Sequence, residues 1–393
     1  MSFTLIAPFF RWMQVLLILG FLPSALDAQS PRESWTLVEE LRIGSFDRPN
    51  YTLTRVSDLA IGEDGSIYVG QDMDKLVRVF DSDGEFVRTI GAEGGGPGEF
   101  RSVRELGWRA DSLWVVDFSQ FRVNLFNAAG ENLHTFGFNG AMVQESSRPT
   151  APRRMLSDGT IVATPLIGNP GPVESLPILR MDRAGVILDT LGTVSIKSAT
   201  LLIRTDQLTL YTRYPVESYS LWDISPADTS VVIVHRPLPT DPEEGFFRLQ
   251  KYGSANDTIF DRRFRYTPKP VPGGYFDVVE MHSEFLGMLP VGIDRPEMEQ
   301  ALRDSIPIPD FQAPITELKV GRDGTIWLRR DGLGSETVQW IVFDVDGDII
   351  AELSAPAKLE ILAAQRDMVW GVIEDELEVP YVVRYRVGRE PTS

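Results

Sequence analysis

Apolar and polar residues alternate along most of the chain in short runs, each broken by a turn signal. The clearest unit is Leu59-Ala60-Ile61-Gly62-Glu63-Asp64-Gly65-Ser66-Ile67-Tyr68-Val69. Two alternating runs flank an Asp-Gly pair. This reads as a hairpin, because glycine supplies and aspartate tolerates the positive φ of a tight turn. The phrase returns with turns at Ala110-Asp111, Asp158-Gly159, Asp228-Thr229, Asp323-Gly324 and Arg366-Asp367. Blades of a propeller recur at roughly 40–50 residues, and three of the gaps match that spacing. The other two are longer and carry insertions.

A second hairpin follows each first one. It runs from Val77 to Val87 around Gly84 and closes at Gly130, Gly185, Asn256 and Gly347 in the next four copies. The sixth copy, Val379 to Val387, lacks an outermost strand, while Trp35 to Ile43 is a strand without a blade. The pattern therefore predicts an all-β, six-bladed β-propeller with four-stranded blades. The N-terminal strand completes the last blade and closes the ring, which removes exposed sheet edges. Blades are expected near 54–92, 100–138, 151–193, 218–268, 314–354 and 357–388, with the closing strand at 35–43, all within one domain spanning 29–393.

The residue four places after each turn start is Tyr68, Trp114, Val162, Val232, Trp327 or Trp370. Large apolar groups at a fixed point of the second strand are expected to pack against the next blade. The insertion 194–217 is apolar and hydroxylic and gives no clear element. The insertion 269–313 predicts a helix from Arg295 to Ser305, with Asp294 as its cap and Pro296 in its first turn, in a segment long enough to cover a rim.

Composition adds a compartment. Arg11, the apolar run Trp12 to Leu22, Pro23 and the small residues up to Ala28 make 1–28 a secretory signal by pattern. The run is short of the ~20 residues that span a bilayer, so export to the periplasm or the exterior is expected, without a stable membrane anchor. The chain has no cysteine, which excludes disulfides, thiolate metal sites and a cysteine nucleophile. The net charge of −18 disfavours nucleic acid and anionic membranes as partners.

With Asp64 to Val69, Val77-Arg78-Val79-Phe80-Asp81, the linker Gly91 to Phe100 and Val116-Asp117-Phe118-Ser119-Gln120-Phe121-Arg122-Val123 on the page, the first two blades resemble NHL repeats. The match is partial in the third, fifth and sixth blades and faint in the fourth. The whole chain is similar to exported bacterial six-bladed propellers of undefined function. The resemblance implies a fold and export, and an Asp117–Arg122 pair of structural type. It implies no activity.

Candidate chemistry is sparse. Gly91 to Phe100 is an inter-blade linker rather than a phosphate cradle, since no Gly-Lys-Ser/Thr follows. The histidines His134, His235 and His282 fall in different parts of the fold and make no zinc set, and no G-x-S-x-G phrase is present. Carboxylates are more informative. Asp58, Glu105, Glu317 and Glu360 each directly precede the first apolar residue of an innermost strand. Such a ring could hold Ca²⁺, which prefers clustered oxygen ligands. The resemblance to calcium-dependent six-bladed lactonases implies the same use. Alternatively each acid pairs with a base such as Arg55, Arg104, Lys319 or Lys358, or meets solvent. In the third and fourth blades Arg153 or Arg154 and Ser220 or Trp222 stand nearby instead. Glu374, Asp375 and Glu376 could extend a ligand-binding mouth if they share its face. The leading expectation is a binding scaffold for a small ligand or a protein at the channel mouth, with no identified catalytic activity. The alternatives are a calcium-dependent hydrolase or lyase and a protein–protein platform.

Overall fold

The structure, a computed structural model, describes residues 33–138, 142–143, 148–166, 175–196, 201–206, 209–212, 219–253, 257–273, 277, 279–287, 289, 292–330 and 332–390. The segment 1–28, expected as a secretory signal, and the turn residue Asn256 lie outside the described residues.

The chain folds as an all-β propeller. The first blade comprises Val56–Ile61, Ile67–Gln71, Leu76–Phe80 and Phe86–Ile90, paired antiparallel in that order. The second comprises Leu106–Arg109, Ser112–Asp117, Arg122–Phe126 and Asn132–Gly137. The third comprises Arg148–Met155, Ile161–Pro165, Ser175–Met181 and Ile187–Ser195, with the short strand Met142–Val143 added on the inner edge. The fourth comprises Leu221–Ile224, Val231–His235, Phe246–Tyr252 and Thr258–Arg265. The fifth comprises Glu317–Val320, Ile326–Arg329, Thr337–Phe343 and Ile349–Pro356.

The sixth blade supplies Glu360–Gln365, Met368–Glu374 and Pro380–Glu390. Its outermost strand is Glu33–Ile43, antiparallel to Pro380–Glu390. The same strand begins with a short parallel pairing to the fifth blade, Glu33 to Ala351 through Trp35 to Leu353. It therefore closes the ring and also bolts two blades together.

Six apolar clusters fill the six inter-blade seams. Ala60 and Tyr68 meet Leu106 and Val115 between the first and second blades. Trp114 meets Ile161 next, and Val162 meets Ile233 after that. Val232 meets Ile326, Trp327 meets Ile361, and Trp370 meets Ile67 across the final seam. Alternation explains the order. In each second strand the residue four places after the turn faces the following blade, while its neighbours face the preceding one. The expected packing role of Tyr68, Trp114, Val162, Val232, Trp327 and Trp370 is what the structure shows, all six being buried.

Aspartates fix the turns. Asp64, Asp158, Asp228 and Asp323 each accept the backbone N–H two residues on, from Ser66, Thr160, Ser230 and Thr325. The geometry needs a positive φ next to the aspartate, met by Gly65 at 84° and, less comfortably, by Thr229 at 59°. The NHL-like phrase forms a buried hub. Asp117 accepts hydrogen bonds from Arg101 N at 3.0 Å and Ser102 N at 3.1 Å, and stands 3.4 Å from Arg122 Nε. Arg122 donates onward to the carbonyls of Gly95 and Glu99 in the glycine-rich linker. That pair is structural, tying the linker to the blade.

The two insertions meet. Within 194–217 the structure shows a hairpin of Leu201–Arg204 and Thr209–Thr212. Within 269–313 it shows the helix Arg295–Ser305, whose Asp294 side chain accepts Glu297 N–H at 3.1 Å. Ile203 of the hairpin packs with Leu286, Met298, Leu302 and Ile306 in a seventh apolar cluster outside the seams.

Candidate functional site

A cavity of about 290 Å³ opens among the innermost strands. Every blade contributes a charged residue to it: Asp58, Glu105, Arg154, Asp223, Lys319 and Glu360, from the first blade to the sixth in turn. A wall shared by all six blades lies on the propeller axis.

Strand register explains which residues reach it. Opposite the inter-blade residues of the second strands stand Ala60, Gly107, Arg154, Asp223, Lys319 and Ala363. Three consecutive blades thus put a charged side chain at one position, and the other three put a small residue there. The acids Asp58 and Glu105 sit two residues earlier, nearer the start of the strand.

Arg154 is the internal cation of the site. Its Nη1 donates to the Ile224 carbonyl at 2.8 Å and lies 3.3 Å from Asp223 Oδ1, while its Nε lies 3.9 Å from Glu105 Oε2. Asp223 uses its other oxygen to accept Val320 N–H of the fifth blade at 2.8 Å. Asp58 does the same one seam away, accepting Leu106 N–H of the second blade at 3.1 Å. Both aspartates therefore staple neighbouring blades while facing the cavity. Arg153 donates to Thr164 Oγ1 at 3.0 Å and lies over the Phe118 ring.

Burial dominates the titration of the site. It pushes the Glu105 carboxyl up to about 7, against the pull of Arg154 and with the help of Asp58. It also pushes Asp58 up, against Lys319 and Arg154. Burial works against the Arg154 charge, but Asp223, Glu105 and Asp58 outweigh it and hold its pKa above the ordinary value. Four acids and three bases line the cavity.

Of the four acids expected as a ring, Asp58, Glu105 and Glu360 line the cavity and Glu317 does not. Glu317 is paired across its hairpin with Arg329, which takes its carboxylate in a salt bridge. Among the described residues no three acid or histidine groups converge on a point where a metal ion could be held. The ring expected for calcium is thus not a ligand cluster among the described residues, and Arg154 lies beside Glu105 and Asp223. Asp223 was the residue that the pattern of acids missed; Arg154 and Trp222, noted as standing near the acids' position in the third and fourth blades, both line the cavity.

Glu374, Asp375 and Glu376 do not line the cavity. Asp375 is a turn residue: it accepts Leu377 N–H at 2.9 Å and Val379 N–H at 3.0 Å, as Asp81 does for Asp83 and Glu85. The Val379 N–H above all holds its carboxyl below the usual range. The histidines stay apart. His134 packs on Phe136, and His282 belongs to the insertion. His235 bridges Ser220 Oγ at 2.8 Å and Gln250 Oε1 at 2.7 Å, and burial holds its pKa down.

Comparison with known proteins adds a fold and little more. A family described as a six-bladed β-propeller matches residues 50–139. A crystal structure of a DUF4221 family member from Bacteroides vulgatus is 13% identical, with 92% of this chain and 100% of that chain covered and a TM-score of 0.51. A candidate exported protein from Bacteroides fragilis is 12% identical over 91% of this chain and 96% of its own, at a TM-score of 0.47. A catalytically inactive virginiamycin B lyase from Staphylococcus aureus with quinupristin is 10% identical over 90% of this chain and 99% of its own, at 0.44. No curated protein sequence matches the chain. Among the described residues no helix is long and apolar enough to cross a membrane.

Proposed function

We propose that the chain is an exported propeller of NHL-like repeats whose axial cavity binds a small polar ligand without transforming it. One observation carries the reading: all six blades converge on one cavity with charges of both signs. Asp58, Asp223 and Arg154 also tie neighbouring blades together, but Lys319 and Glu360 line the same cavity without a hydrogen bond or ion pair among the described residues, which leaves them for a ligand. The cavity volume is at the low end for ligand sites, so the ligand has the size of a metabolite rather than a peptide or polymer. Export rests on the segment 1–28, with its apolar run and small residues. Mass determination of the protein recovered from the periplasm or medium tests it, and a chain still beginning at Met1 counts against it.

The binding reading is tested by melting the purified chain against a panel of small metabolites, beside an Arg154→Met, Lys319→Met double variant. A ligand that raises the melting temperature of the native chain, and leaves the variant unmoved, supports it. A panel that shifts neither protein sinks it.

Glu105 favours a second reading. A carboxyl with a pKa near 7 beside a fixed cation suits a general acid–base, as in a lyase. Turnover of a bound ligand, lost in Glu105→Gln while binding persists, would establish that reading instead.

A further inference from the structure

The charges in the axial cavity are not equally engaged. Arg154, Asp223 and Asp58 hold blades together, and Arg153 is engaged by Thr164 and Phe118. Lys319 and Glu360 are different. Among the described residues neither side chain has a hydrogen-bond or ion-pair partner, although both line the cavity. Glu360 is exposed and Lys319 half-buried. They stand on the innermost strands of adjacent blades, Glu317–Val320 and Glu360–Gln365. Their signs are opposite. Beside them Trp222, Leu318 and Leu362 give the cavity an apolar wall.

A ligand with one kind of charge does not fit this set. A cation would leave Lys319 opposing it, and an anion would leave Glu360 opposing it. A neutral polyol would leave both free charges uncompensated. A molecule that carries a carboxylate, an ammonium and an apolar body satisfies all three features at once. Resting on the axial-binding reading above, we infer that the ligand is a free α-amino acid with an apolar side chain. Lys319 takes its carboxylate, Glu360 takes its ammonium, and Trp222 covers its side chain. A zwitterion adds no net charge to the site.

The test uses the full mature chain and isothermal titration with L-leucine. The comparison probes are leucinol, which lacks the carboxylate, 4-methylpentanoate, which lacks the ammonium, then glucose and putrescine. Leucine binds in the expected outcome, and loss of either charged group weakens binding roughly 10- to 100-fold, the range of a charge-assisted hydrogen bond. Lys319→Met then brings leucine down to the level of leucinol, and Glu360→Gln brings it down to 4-methylpentanoate. Glu360 is exposed and makes no hydrogen bond or ion pair among the described residues, so Glu360→Gln without ligand melts near the native chain, whereas Lys319→Met melts lower because Lys319 attracts the buried Asp58 carboxyl. If glucose or putrescine binds at the cavity and leucine does not, the ligand class is overturned while the axial-binding reading stands. If leucine binds and neither variant weakens it, the assignment of Lys319 and Glu360 is overturned. If no probe binds, the inference fails, and the broader metabolite panel separately decides whether the axial-binding reading fails with it.

Discussion

Arg154 Nη1 lies 3.3 Å from Asp223 Oδ1, an ion pair between the innermost strands of the third and fourth blades. The same arginine reaches Glu105 of the second blade at 3.9 Å through Nε. One side chain thus neutralises acids from two neighbouring blades and donates to a backbone carbonyl of the fourth. The cavity is built around that residue.

Removing Arg154 should therefore be severe. Arg154→Met leaves Asp223 and Glu105 in a half-buried site without their cation, and breaking such a pair on one side costs about 3 kcal/mol. Arg154→Lys keeps the charge but loses the planar fork, and should fall between the variant and the native chain. Urea unfolding monitored by tryptophan fluorescence gives both values. Equal stability of the methionine variant and the native chain would show that the pair is incidental.

Glu105 makes stability depend on pH in an unusual direction. Its folded pKa of about 7 stands above its ordinary 4.5, so between these values the folded chain binds more protons than the unfolded one. This group's contribution to stability is greatest at pH 4.5 and below, and declines as the pH rises to 7. The loss is on the order of 1 kcal/mol, reduced because the carboxyl keeps some contact with water. Glu105→Gln should flatten that part of the curve and melt later than the native chain above pH 7. Calorimetric scans between pH 4.5 and 8 test this, and a native curve already flat across that window counts against it.

The propeller was legible because its signals are local. A tight turn containing aspartate, two alternating strands and a buried apolar residue, aromatic in four of the six copies, recur within a few residues of one another. Closure by Trp35 to Ile43 was legible for a simpler reason: one strand was left over and one blade lacked a strand. The site was only partly legible. Asp58, Glu105 and Glu360 are marked by their place before the first apolar residue of an inner strand. Asp223 was hidden because it stands in the row of Arg154 and Lys319 rather than that of Asp58 and Glu105, and register slips between Val56 and Asp58, Pro152 and Arg154, and Ile361 and Ala363 blur the rows when strands are aligned from their starts. A bulge moves a residue from one face to the other, and no periodicity records it. Counting from the opposite strand, where the inter-blade residue is fixed, would have aligned Arg154, Asp223 and Lys319. Glu317 misled for the converse reason: its row is right, but its cross-strand partner Arg329 claims it.

Closure of the ring can be tested at Trp35. This residue is 3% exposed, and its ring centroid lies 5.8 Å from that of Trp327 in the fifth blade. Trp35→Ala should cost about 3–5 kcal/mol through lost burial and an unfilled seam. The expected signature is faster hydrogen exchange along Pro380–Glu390 and Ile349–Pro356, the two strands that Glu33–Ile43 pairs with. Unfolding without local loss of protection in those strands would mean that the closing strand adds little to the ring.

Gly371 offers a way to disturb the site without removing a charge. It lies in the second strand of the sixth blade opposite Ile361, and a Cβ there would come within 2.2 Å of the Glu360 carbonyl oxygen. The obstacle is backbone, so Gly371→Ala must push the start of the innermost strand aside and carry Glu360 with it. Overpacking of this kind costs about 1–3 kcal/mol. The change should also weaken binding of a ligand held by Glu360, with every cavity charge still present. Gly137→Ala is the matched control, since nothing lies within 4 Å of the methyl it would add. Titrating both variants beside Glu360→Gln separates position from charge. If Gly371→Ala binds as the native chain does, the strand start has moved without moving Glu360, and the carboxylate's exact placement does not set affinity.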